Sequence, residues 1–170
     1  MAKGKVTREQ KKLLKTIKKN PQDAAPLVEL GWIYFDQKQF NEARQQFTRA
    51  AELSAPSAAV ADAAYGLGLL DLEGGRHEDA RDRLRSLLKD HPDFSKRPEA
   101  HFALARANDL LWRDMAWESD RERAASEYLQ RAIDHYEQAI ERRSAQQDAA
   151  SLLLGKLYSD IERPDEAFTA

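Results

Sequence analysis

One spacing recurs three times along the chain. Gly31 lies 12 residues before Ala43, Gly68 lies 12 before Ala80, and Gly155 lies 12 before Ala167. Each glycine follows a leucine and precedes an apolar residue at helical spacing: Leu30-Gly31 leads to Tyr34, Leu67-Gly68 to Leu72, and Leu154-Gly155 to Tyr158. The alanines are followed in the same way, Ala43 by Phe47 and Ala50, and Ala80 by Leu84 and Leu87, with Pro92 closing that unit. Such a repeat means that no unit buries its apolar face alone; stacking of neighbours builds the core.

Each unit reads as two antiparallel helices. Small residues at Gly31 and Ala43 let the two backbones approach. Leu27, Leu30 and Tyr34 form the inward stripe of the first helix, and Phe47 and Ala50 the facing stripe of the second. Few glycines (7) and prolines (6), with Ala, Leu, Glu, Arg and Gln abundant, suit helices throughout. Asn20-Pro21-Gln22-Asp23 and His91-Pro92-Asp93 end one helix and start the next, because proline suits a first turn but not an interior. Glu42, Glu78 and Asp79 lie at helix starts, where the dipole favours acids.

The run Leu27-x-x-Leu30-Gly31-x-x-Tyr34, then Ala43-x-x-x-Phe47, resembles the tetratricopeptide repeat, with Leu27 where tryptophan is commonest and Pro56 one place late. The resemblance covers roughly residues 20–170. It implies an all-α fold, an α-solenoid of antiparallel helix pairs in a right-handed superhelix, used to bind proteins or peptides. The expected divisions are a basic leading helix (1–22), units at 23–56 and 57–94, a unit at 95–145, and an incomplete unit at 146–170.

The unit at 95–145 departs from the pattern. Its second helix carries Ala132, Tyr136 and Ala139 in the places of Ala43, Phe47 and Ala50. With Ala105 standing for the glycine, the interval to Ala132 is 27 residues, and the added segment holds no Gly or Pro. Both helices should therefore be longer by roughly two turns. Ser119-x-x-Glu122 reads as a capping box for the second. Trp112, Met115 and Trp117 would lie near the tip of this hairpin, a second candidate contact site beside Arg113, Arg121 and Arg123; the competing reading is that the tryptophans pack on each other.

Residues 1–19 hold eight basic groups and one acid, a local charge of +7 in a chain of net charge −2. Residues 5–19 read as a lone helix with Leu13, Leu14 and Ile17 on one face. A solvated capping helix is the preferred reading over nucleic-acid or anionic-membrane association, since interleaved aromatics are absent and the apolar face is narrow. The chain stops at Ala170 just as a second helix of the last unit begins. That suggests either a piece of a longer protein, including the repeat region of a larger enzyme, or a face covered by the leading helix of another copy.

No chemistry-bearing pattern stands out. There is no cysteine, and the four histidines (His77, His91, His101, His135) fall in different units without metal-ligand spacing. Gly66-x-Gly68 lacks the rest of a dinucleotide loop, and phosphate-loop and nucleophile-elbow motifs are missing. The expectation is a non-enzymatic scaffold without cofactor or metal, with no transmembrane segment and no export signal, hence cytoplasmic.

By the resemblance, first helices line the binding groove. The relevant positions are Val28, Trp32 and Phe35; Tyr65, Leu69 and Leu72; Phe102, Arg106 and Asp109; and Leu152, Lys156 and Ser159. Large apolar residues in two successive units, grading into Arg106 and Lys156, suggest a hydrophobic or amphipathic partner segment with an acidic end. The alternative is that they fill a tight superhelix. Chaperone-tail-binding members of the family place asparagine after the Leu-Gly pair, where this chain has Trp32, Leu69 and Lys156. An Hsp70 or Hsp90 tail is therefore disfavoured as the ligand.

Overall fold

The computed structural model describes residues 7–53, 58–115 and 122–162, the side chains of 122–124 and 162 excepted. Among them are eight helices and no strand: α1 (Arg8–Lys19), α2 (Ala24–Asp36), α3 (Phe40–Ala51), α4 (Ala58–Glu73), α5 (His77–Asp90), α6 (Arg97–Met115), α7 (Glu122–Glu141) and α8 (Gln147–Glu162). The chain divides into two compact bodies, residues 1–70 and 71–170, with the boundary inside α4.

In the first body, α1 begins with a capping box that the sequence reading overlooked. The Gln10 amide N–H donates to Thr7 Oγ1 at 3.1 Å, and the Thr7 N–H donates to Gln10 Oε1 at 2.7 Å. Leu13 and Ile17 are buried in the shared core with Leu27 and Leu30 of α2. Asp23 caps α2, its Oδ1 accepting from the Ala25 N–H at 3.1 Å.

Phe47 of α3, fully buried, is the centre of this body. Two glycines make room for its ring. A Cβ on Gly31 would lie 2.5 Å from Phe47 Cε1, and one on Gly66 would lie 2.6 Å from Cε2. The second contact is made by Gly66 of α4, two residues before the Gly68 that the repeat spacing singles out.

Three helices end in the same left-handed turn. Lys38 (φ 56°), Gly75 (φ 68°) and Arg143 (φ 53°) occupy the position after the helix. In each turn the next residue's N–H reaches back five residues: Gln39 to the Tyr34 carbonyl (2.9 Å), Arg76 to Asp71 (2.9 Å) and Ser144 to Ala139 (3.0 Å). Only one of the three positions carries the glycine that such turns favour.

The second body contains the long hairpin. α6 has 19 residues and α7 has 20, against 13 and 12 in α2 and α3. The lengthening expected from the 27-residue interval is present. Ser119, Trp117 and Arg121 lie outside the described residues, as do Pro56, Ala167 and the first six residues.

Candidate functional site

The residues expected to meet a partner are divided between the two bodies. In the first, α2 and α4 present an aromatic cluster. Trp32 is half-buried; its ring meets Phe35 edge-on (centroids 5.6 Å apart) and Phe47 (5.0 Å), and lies 6.0 Å from Tyr65. Its Nε1–H donates to Asp62 Oδ2 at 3.1 Å, which fixes the indole plane. Phe35 continues the row to Phe40, 5.7 Å away. Val28 and Tyr65 are buried and act as the floor of this ledge, while Trp32 and Phe35 keep part of their surface, as does Leu69 farther along α4.

In the second body, Arg106 and Lys156 do come together. With Asp109, Leu110, Arg113, Tyr136 and Leu153 they line a cleft of about 260 Å³ between α6, α7 and α8. Its inner wall is an ionic network. Arg113 Nε donates to Asp109 Oδ1 at 2.8 Å and its NH2 group to Asp160 Oδ2 at 2.7 Å, while the Tyr136 hydroxyl donates to Asp109 Oδ2 at 3.3 Å. Burial pushes the Asp109 carboxyl above the usual range, an effect opposed by Arg113; burial likewise raises the Tyr136 phenol. Phe102 lies 6.1 Å from the Tyr136 ring, and Leu72 is buried.

The second candidate contact site is less open than its composition suggests. Trp112 is buried, with the Arg113 guanidinium 5.3 Å from its ring centre, and Met115 is half-buried against the same core. Trp117 lies outside the described residues.

Two further networks were not foreseen. Asp71, buried in α4, receives Arg76 (3.0 Å) and Arg83 (3.0 Å), tying the start of this body to α5. His101 of α6 and His135 of α7 meet Nδ1 to Nδ1 at 3.1 Å. Burial, then the neighbouring His135, pushes the His101 imidazole down to about 4, and burial lowers His135 as well. Both are neutral at pH 7, with one nitrogen donating and the other accepting. His77 sets its Nδ1 2.9 Å from Asp114 Oδ2.

These features define the class: an all-α protein built from consecutive antiparallel helix pairs, an α-solenoid with one elongated pair. The family follows from direct comparison. Family models described as tetratricopeptide repeat match residues 24–55 and 62–93, so the chain carries tetratricopeptide repeats over these residues. The crystal structure of MamA has a similar fold, with a TM-score of 0.52 at 20% identity, covering 95% of this chain and 99% of that one. Comparison with curated proteins found no match. No described helix is long and apolar enough to cross a membrane.

Proposed function

We propose that this protein is an interaction scaffold that holds a segment of another protein, with the Trp32–Phe35 ledge of the first body as the principal apolar contact. The observation that carries the reading is partial exposure of two aromatics packed edge to face on one helix. Anchors of this kind give large contact area at low conformational cost, and exposed apolar stretches mark contact sites. Trp32 also touches the buried Phe47, so its removal would damage the core. Phe35 is the cleaner probe. Peptides selected from a random library on the immobilised chain should lose about tenfold in affinity, roughly 1.4 kcal/mol, on Phe35→Ser, with the helical CD spectrum kept. Unchanged affinity would remove the ledge from the binding surface.

A second reading, self-association, is favoured by α8. Leu152, Tyr158 and Ile161 are 74%, 45% and 39% exposed, and a Cβ on Gly155 would meet no described residue within 4 Å, unlike one on Gly31. On this reading a helix of a second copy covers the face, α1 being the candidate through its exposed Leu14, since its Leu13 and Ile17 are buried in its own body. Light scattering over a concentration series tests it: a monomer throughout argues against it, and a dimer lost on deleting residues 1–19 supports it.

The basic α1 offers less. Its apolar residues Leu13 and Ile17 are already buried in the first body, which leaves a lysine-rich outer face for anionic partners. Binding to such partners would weaken steeply with salt and vanish on deletion of the helix.

A further inference from the structure

The cleft between α6, α7 and α8 holds more positive charge than its own acids use. Its charged lining is Arg106, Arg113 and Lys156 against Asp109, with Asp160 joined to it through Arg113. Both aspartates are buried and both are engaged by the single guanidinium of Arg113. Arg106 and Lys156 have no hydrogen-bond or ion-pair partner among the described residues, and they reach the cleft from different helices. An anion entering here would meet two free cations without displacing an existing pair. Leu110 and Leu153 supply apolar wall beside them.

We propose that this cleft takes the carboxylate of an aspartate or glutamate within a partner segment, with an apolar neighbour of that residue against Leu110 and Leu153. The chemistry favours a side chain over a chain end. The cleft offers two cations and no side-chain amide, so it balances charge but holds nothing that reads the backbone of a terminus. The inference rests on the scaffold reading, yet concerns a different body and a different chemistry from the ledge.

The test uses fluorescein-labelled hexapeptides of alternating glutamate and leucine, amidated at the C-terminus, with glutamine–leucine and free-acid counterparts. Anisotropy titrations on the full chain should show at least tenfold tighter binding of the glutamate peptide than of the glutamine peptide, and no gain from the free terminus. Arg106→Gln and Lys156→Gln should each lose severalfold, and the double variant should abolish the preference for glutamate while keeping the CD spectrum. Phe35→Ser should leave that preference intact, which separates failure of the ledge from failure of the cleft. Equal binding of the two peptides, an undiminished preference in the double variant, or a preference only for a free terminus would overturn the proposal. So would a dT oligonucleotide that competes equally well for Arg106 and Lys156.

Discussion

The α2/α3 and α6/α7 crossings obey one repeat rule with different chemistry. Phe47 and Tyr136 hold equivalent places, both fully buried, each flanked by fully buried alanines, Ala43 and Ala50 in one case and Ala132 and Ala139 in the other. Phe47 needs only room, and Gly31 and Gly66 provide it. Tyr136 brings one more oxygen into the core, and a buried hydroxyl must find a partner. Asp109 supplies it, Arg113 balances Asp109, and the same guanidinium reaches Asp160 on α8. One atom is thus the start of a chain of polar residues across three helices. Shape organises the first body, and charge and hydrogen bonding organise much of the second.

Four measurements break or sharpen that contrast. Phe47→Ala empties the centre of the first body and should cost about 3–5 kcal/mol in urea denaturation, independent of salt and pH. Arg113→Ala leaves two buried carboxylates without their cation and should cost about 3 kcal/mol, at the low end for a broken buried pair because Arg113 itself touches water. Asp109→Asn in the same background should recover part of that loss, an exchange with no counterpart in the first body. Gly31→Ala forces a methyl against the Phe47 ring and should cost about 1–3 kcal/mol.

The pH response belongs to the second body. His101 and His135 titrate below the ordinary histidine value in the folded chain, so the unfolded chain binds their protons first. Stability is then full above pH 6.5 and falls as the pH drops toward 4, by about 1–2 kcal/mol between pH 7 and 5. Thermal melts of the wild type should show this slope, and His135→Gln should reduce it without abolishing it, because burial of His101 remains. A flat wild-type profile would mean that the two imidazoles are not buried in neutral form. The smallest effect is expected at the far end of the second body. Gly155→Ala, with no described residue within 4 Å of the new methyl, should stabilise α8 by about 0.5–1 kcal/mol, opposite in sign to Gly31→Ala.

The helix pairs were legible from the Gly-to-Ala spacing because close crossings tolerate few residue types. The long hairpin was legible because its interval is stretched without a helix breaker. The left-handed turns at Lys38 and Arg143 were not, since neither residue advertises a positive φ; Gly75 does. Arg106 and Lys156 were picked out by register and do share a cleft, but the Asp109–Arg113–Asp160 network behind them spans residues 109 to 160, and no local pattern links them. The groove positions were read as one set by register alone. Burial separates them: Val28, Tyr65 and Leu72 belong to the core, and Trp32 and Phe35 retain surface. Trp32 itself rests on Phe47, which lies on another helix, α3.

Hydrogen–deuterium exchange of the full chain, with and without a library-selected peptide at saturation, tests the interaction surface most directly. Protection concentrated in α2 around Trp32 and Phe35, and in α4 around Tyr65 and Leu69, is the expected result. Protection confined to α1, or no difference anywhere in α2 and α4 despite measurable binding, would contradict the ledge as the surface this protein uses.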